Sequence, residues 1–402
     1  MYFWNMTNWT FFHDDQGDSM YPLGAAHQNG DLQIGALTLS EAWSDVTKNT
    51  IAKIEQDIGR NVLSRMEEGQ LNDRWLPTTE AIETLGQLAP GVDLYFENSP
   101  LFRWSQNTNA DGVSRETISN AELLQSPTQL FMHAGKWIDD QAQEVLKKWD
   151  AKTASQLSLP EHVRIIGPRE NLIMAPGARV LASTINTESG PVLLGPNSEI
   201  QEGCNIRGPL YLGAHSIVKM GAKIYGPTSI GDHCRIGGEV SNSVFLGYSN
   251  KGHDGFVGNS VIGHWCNLGA ATNTSNLKSN YSQVKLWNEN AQALIESDLQ
   301  FCGLIMGDHS KSGINTMFNT GSVVGPGCNI FGSGFQPKHI PPFSWGGGVD
   351  WNIHDFAKFI KTASAVMERR GQKLTETEIE RWRIEHQHRT AKASPLPLSK
   401  KS

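Results

Sequence analysis

Between Leu194 and Gly237 an aliphatic branched residue returns every six positions: Leu194, Ile200, Ile206, Leu212, Val218, Ile224, Ile230 and Ile236. Glycine follows at 195, 213, 231 and 237. A helix asks for apolar spacings of three and four and a strand for two, so neither sustains a period of six. That period belongs to a parallel β-helix, in which each sextet forms one short side of a coil. The register lapses after Ile236 and is predicted to resume at Phe256, Ile262 and Leu268, then at Met306, Ser312, Phe318, Val324 and Ile330. The interval from 236 to 256 is not a multiple of six, which predicts a loop bulging between coils, and a longer insertion is expected between 275 and 302. Loops that leave a rigid solenoid are where function concentrates.

Outside the solenoid the patterns change. Trp9 to Phe12 and Val92 to Phe96 read as strands, and 39–57 and 141–149 as helices, the first opened by a capping-box pattern, Thr38 to Glu41. Residues 153–161 read as a linker. In the tail, Phe356, Phe359, Ile360, Ala363, Val366 and Met367 keep helical spacing, Gly371 ends that helix, and Thr375 to Glu378 caps another. These helices are expected to cover the open edge of the last coil, and residues 391–402 are expected to be disordered. The division is 1–152, a reduced α/β domain, then 161–345, the β-helix, then 346–402, the helices and tail.

Cys204, Cys234, Cys266 and Cys328 each fall four residues after a sextet start. One slot of the repeat therefore takes a small apolar side chain, and free cysteine fits as core filler. Five cysteines without a CxxC pair or a Cys/His zinc spacing argue against a disulfide framework and fit a reducing, cytoplasmic setting. A net charge of −7 does not advertise nucleic acid, and the locally basic tail reads as solvated helix surface. Neither a signal peptide nor a membrane span is legible.

The richest polar chemistry stands between the two predicted loops: Ser249-Asn-Lys-Gly-His253-Asp-Gly-Phe256-Val-Gly258, then Ile262-Gly263, Asn267-Leu-Gly-Ala270-Ala-Thr272 and Asn276-Leu-Lys278. An imidazole titrating near neutrality can deprotonate an amine nucleophile; by spacing alone, His253 could equally cap its loop. Asn267 fits a substrate contact or an asparagine ladder in a solenoid turn. Lys278 reads as a solvated loop lysine before a phosphate ligand. These residues resemble the acetyltransferase half of the bifunctional N-acetylglucosamine-1-phosphate uridyltransferase/glucosamine-1-phosphate N-acetyltransferase family. Its motif, His-x-x-aromatic-x-Gly, Ile-Gly, Asn-x-Gly-Ala-x-Thr, is matched from His253 to Thr272 without a gap. The wider chain, about residues 10 to 350, is similar to the shorter, Bacteroidetes-type GlmU-like relatives of that enzyme.

The resemblance implies a mainly β chain built on a left-handed parallel β-helix of hexapeptide repeats, assembled as a homotrimer with acyl sites between neighbouring coils. It implies acetyl-CoA as co-substrate, an amino-sugar 1-phosphate as acceptor in UDP-N-acetylglucosamine or cell-envelope precursor synthesis, and His253 as general base. Lys223, Phe256 and Asn267 fall on substrate positions, and Ala270, Asn276, Ile314 and Gly332 on positions that meet the cofactor. Asp254 and Glu239 are the nearby candidates for a carboxylate behind the base. Lys223 stands where the family has Arg and keeps the charge without the bidentate fork. Ser241 replaces a family Lys, and Phe256 replaces a Tyr. The resemblance also implies a nucleotidyltransferase-like N-terminal domain, where Pro22-Leu-Gly24 and His27 to Gly30 replace an arginine-bearing loop. Without those cations little offsets phosphate charge, so that domain is expected to be reduced or inactive. The alternative function, from another reaction class, is a sugar-1-phosphate nucleotidyltransferase using UTP or dTTP with Mg2+, the β-helix serving as a trimerising scaffold.

Overall fold

The computed structural model describes residues 10–12, 17–23, 31–44, 69–88, 91–104, 114–348 and 350–392. Its centre is a left-handed parallel β-helix: the six-residue period predicts the parallel solenoid, and the resemblance implies its hand. The first sheet runs through Leu172–Met174, Val192–Leu194, Leu210–Leu212 and Thr228–Ile230 to His339–Ile340. The second contains Glu199–Ile200, Ile217–Val218 and Arg235–Ile236, and the third Asn205–Arg207, Lys223–Tyr225, Glu239–Ser241 and Phe256–Gly258. Neighbouring strands pair in parallel with equivalent sextet positions opposed, as Ile206 with Ile224 and Leu212 with Ile230. Every sextet residue from Leu194 to Ile236 is at most 2 % exposed, so the period is the interior row of the rod.

Cys204, Cys234, Cys266 and Cys328 lie in that interior, free and buried, and they do more than fill space. Cys204 Sγ donates to Lys219 O at 3.1 Å, Cys234 Sγ to Leu246 O at 3.1 Å, Cys266 Sγ to Gly307 O at 3.2 Å and Cys328 Sγ to Pro341 O at 3.1 Å. Each thiol thus satisfies a carbonyl across a coil boundary. Burial pushes the Cys234 and Cys328 thiols up to about 12, which keeps them protonated and inert.

The expected bulge is the first correction. No loop bulges out between 236 and 256. The coil continues through shortened sides, and the interior row runs Ile236, Val240, Phe245, Lys251, Val257, Ile262 and Leu268. Val257, not Phe256, points inward: Val257 is fully buried, and Phe256 is half-buried on the outside of the third sheet. Steps of four and five residues at the corners hide the register from a fixed six-residue count. The second insertion is a real one, carrying the antiparallel hairpin Lys285–Asn288 and Ala293–Glu296.

The described residues among the first 150 share a core with the rod. Strands Thr10–Phe12, Gly69–Asn72, Ser99–Trp104, Val92–Phe96 and Ser114–Ile118 form a mixed sheet in that order. Trp9 and residues 45–57 lie outside the described residues. Residues 39–44 are helical, with Thr38 and Glu41 closing the capping box: Thr38 N donates to Glu41 Oε2 at 2.9 Å and Glu41 N to Thr38 Oγ1 at 3.2 Å. The helix expected over 141–149 is longer, Thr128–Lys148. Leu130, Phe131, Ala134, Ile138, Ala142 and Val145 are its buried stripe, which packs on the outward row of the first sheet, Ile173, Leu193, Tyr211, Val244, Val261 and Ile305. That sheet is apolar on both faces because the long helix covers one of them. Gly135 is the contact point, since a Cβ there would stand 3.0 Å from Pro227 Cγ. Gly135→Leu should lift the helix from the sheet and destabilise the fold by about 1–3 kcal/mol, the range for an overpacked contact, read as a lower denaturant midpoint.

The tail helices Phe356–Glu368 and Glu376–Lys392 do not close the last coil's edge. The antiparallel pair Ser344–Gly347 and Asp350–Ile353 ends the second sheet instead. The helices dock on the corner between the first and second sheets, where His215, His233, Tyr248, Trp265 and His309 take left-handed backbone angles and stack, His233 on Tyr248 at 4.7 Å and Tyr248 on Trp265 at 4.1 Å. Phe359 and Trp382 meet His309 edge-on. The Thr375 capping box forms as expected. Residues 393–402 lie outside the described residues.

Candidate active site

Each coil turns from the second sheet to the third through a short corner, and the second residue after the interior position stands at its tip. In successive coils the interior residues are Lys251, Leu268, Ser312 and Ile330, and the tips are His253, Ala270, Ile314 and Gly332. Four of the eight candidate residues thus form one column along a single edge of the rod. Coils stack at the strand spacing of about 4.8 Å, so the column spans about 14 Å. Backbone hydrogen bonds hold it in step: Ala271 N donates to Asp254 O at 2.9 Å and Asn315 N to Ala270 O at 2.8 Å. Gly332, at φ 109°, takes an angle that glycine favours. Ile314 is 72 % exposed.

His253 is exposed, and among the described residues its ring makes no hydrogen bond. It sits between Gly252 and Gly255, the latter at φ 125° with its would-be Cβ 2.1 Å from Thr272 O, so the corner closes only without a side chain there. Neither candidate carboxylate backs the imidazole among the described residues: Asp254 is exposed, and Glu239 is engaged by Lys223 at 2.8 Å. Lys223, Glu239 and Phe256 occupy one outward row of the third sheet, beside the corner. Asn267 flanks the other side, outward on the second sheet in a row with Asn250, Lys311 and Asn329. Arg370 of the tail donates to Asn250 Oδ1 at 2.9 Å and closes the foot of that row. Asn276 is not part of the gathering. It lies beyond the far side of the third sheet, where its Nδ2 donates to Asn259 Oδ1 at 2.8 Å. Lys278 is satisfied within its own loop by Ser282 Oγ at 3.2 Å and by Gln283 O.

Lys251 was missed in the sequence, because the shortened coil sides concealed its interior position. It is 1 % exposed in a row of aliphatic neighbours. Its ammonium donates to His253 O at 2.8 Å and Gly237 O at 3.0 Å, so it ties the His253 corner to the coil before it. Gly238 makes room, since a Cβ there would be 2.8 Å from Nζ. Burial lowers the Lys251 pKa to about 8, opposed by the charge of Asp254.

In the N-terminal part, Gly24 and His27 to Gly30 lie outside the described residues. Gly35 serves packing: a Cβ there would stand 2.7 Å from Trp137 Cβ, and its carbonyl accepts Ser229 Oγ at 2.5 Å. Among the described residues no group of three or more His, Cys, Asp and Glu is placed to hold a metal ion, and no helix is long and apolar enough to cross a membrane.

The architecture places the chain among hexapeptide-repeat β-helix proteins. No family model matches it. Over 92 residues it is 36 % identical to the bifunctional protein GlmU of Methanocaldococcus jannaschii, covering 23 % of this chain and 22 % of that one. Over 98 residues it is 32 % identical to the bifunctional protein GlmU of Methanococcus maripaludis, covering 23 % of each. The chain spans less than a quarter of the length of these curated relatives. Among solved structures it aligns with the polysialic-acid-specific acetyltransferase NeuO at 15 % identity and TM-score 0.25, over 48 % of this chain and 80 % of that one. It aligns with AntD, an N-acyltransferase from Bacillus cereus in complex with dTDP and coenzyme A, at 12 % identity and TM-score 0.21, over 52 % and 91 %. Similarities at those TM-scores do not extend to a common overall shape and assign no activity.

Proposed function

We propose that the chain is an acyl-CoA-dependent N-acyltransferase acting on an amino sugar, with acetyl-CoA as donor and a sugar 1-phosphate as acceptor. The observation that carries this reading is the column of His253, Ala270, Ile314 and Gly332 on one edge, headed by an exposed imidazole. In the step proposed, the acceptor nitrogen attacks the thioester carbonyl carbon and forms a C–N bond. His253 takes the N–H proton, the C–S bond breaks, and coenzyme A leaves as a thiolate that is then protonated. The flat tips at Ala270 and Gly332 leave room for the slender pantetheine arm along the edge, with Ile314 as an apolar contact. Phe256 offers a ring face to the sugar, and Lys223 offers a cation to its phosphate, in competition with Glu239. Exposed Met220, Ile314 and Phe331 on the same edge are surfaces that a trimer would cover. A cytoplasmic setting accords with the donor.

Mass-spectrometric product analysis tests the reading. The full chain, given acetyl-CoA and a panel of amino-sugar phosphates, is expected to yield a product heavier by one acetyl group and one equivalent of free coenzyme A. Pyrophosphate release from added UTP or dTTP without acetylation would move the activity to nucleotidyl transfer. No acetylated product from any amino sugar would sink it.

A further inference from the structure

Arg235 and Arg370 bring two guanidiniums together on the outward face of the second sheet. Arg235 stands opposite Asn250 of the neighbouring strand, and Arg370, arriving from the end of the first tail helix, donates from Nη2 to Asn250 Oδ1 at 2.9 Å. Arg235 Nη1 is pinned by two carbonyls, His215 O at 2.8 Å and Cys234 O at 2.9 Å. Neutral acceptors thus hold both side chains, and among the described residues no carboxylate pairs with either. Glu199, earlier in the same outward row, is engaged by Arg179 at 3.4 Å, and Asp232 accepts from Ala214 N at 2.7 Å. Burial first, and then the Arg370 charge, lowers the Arg235 pKa. His233, stacked on His215 at 4.9 Å, is lowered to about 4, by burial first and then by His215, Arg235 and Arg370. Like charges gathered in this way oppose one another unless an anion joins them.

An anion can reach them. Both residues are half-buried, and none of the guanidinium nitrogens left over by these bonds is closed to solvent. The donors select the anion. A phosphate monoester carries three free oxygens and about two charges at neutral pH, so one group can bridge both forks. A carboxylate, with two oxygens and a single charge, matches only one. Lys223, the cation on the third sheet, is engaged by Glu239 at 2.8 Å, whereas no acid among the described residues competes for this pair. Asn250 stands three residues before His253, and that length of extended chain spans at most about 10 Å. A phosphate held here therefore lies within one small molecule's length of the imidazole.

We propose that Arg235 and Arg370 form a binding site for the phosphate group of an organic phosphate, beside the His253 edge. The identity of that phosphate, the sugar's or the 3′-phosphate of coenzyme A, rests on the acyl-transfer reading; the binding itself does not. Calorimetry on the full chain tests it with inorganic phosphate as the probe. Saturable binding is expected, weakened about 10- to 100-fold in Arg235→Gln and in Arg370→Gln, the range for a hydrogen bond to a charged group. Binding should be unchanged in Arg383→Gln, which removes the same charge where Glu380 already holds it at 3.0 Å. It should also survive His253→Ala, so the outcome is independent of whether acyl transfer occurs. Glucosamine 1-phosphate against glucosamine, and acetyl-CoA against acetyl-dephospho-CoA, then tell the two sources apart: the affinity difference that shrinks in Arg235→Gln belongs to the ligand held here. Should Arg370→Gln unseat the tail, seen as a lower melting temperature, Arg235→Gln decides alone, since it leaves the bond from Arg370 to Asn250 in place. No saturable phosphate binding by the parent, undiminished binding by Arg235→Gln, or an equal loss in Arg383→Gln would each overturn the proposal.

Discussion

His253→Ala is expected to lower acyl transfer about 10²- to 10⁴-fold, the usual contribution of a positioned general base, with the melting temperature unchanged. The loss should fall on kcat, because proton removal is needed in the transition state and little in binding. Stability should not follow, since the ring is exposed and bonded to nothing among the described residues. A variant that keeps full turnover would remove His253 from the chemistry.

Lys251→Met should change how stability depends on pH. Burial brings the ammonium from its ordinary 10.5 to about 8, and at roughly 1.4 kcal/mol per pH unit that amounts to about 3 kcal/mol. Below pH 8 both folded and unfolded chains carry the proton, and the whole cost of burying the charge is present. Between pH 8 and 10.5 the folded chain has released it while the unfolded chain still binds it, so stability rises with pH. Above 10.5 the gain is complete. Denaturant titrations at pH 7.5 and 10 should show the parent gaining by an amount of this order relative to Lys251→Met. Near neutrality the variant sheds the buried charge but leaves Gly237 O and His253 O without their donor, and the two effects oppose. Turnover should still fall, because the corner that carries the imidazole loses its tie. Parallel pH curves for parent and variant would show that Lys251 is not the group titrating.

The interior row from Leu194 to Ile236 was legible because a strand's inward positions and a coil's side length both repeat locally in the chain. The gathering around His253 was legible only in part. His253 and Ala270 stand in one motif, and a fixed spacing relates them. Ile314 and Gly332 reach the same edge only across the 275–302 insertion, so no local spacing relates them to His253. Asn276 carried the same expectation and ended at another corner, since a few residues of strand are enough to cross a face of the rod. Of the long helix Thr128–Lys148, only the last turns were read, although Leu130, Phe131, Ala134 and Ile138 already kept the spacing of a buried stripe.

By itself the amino-acid sequence determined the solenoid, its interior row and its inert cysteines, all consequences of short-range periodicity and side-chain size. The tertiary structure decided which side of the rod the N-terminal part covers, where the tail helices rest and how a lysine comes to lie inside. Those outcomes depend on corners of four, five or six residues, which shift every later side chain around the rod. Only folding sums those shifts, and their sum puts an imidazole and its neighbours on one open edge.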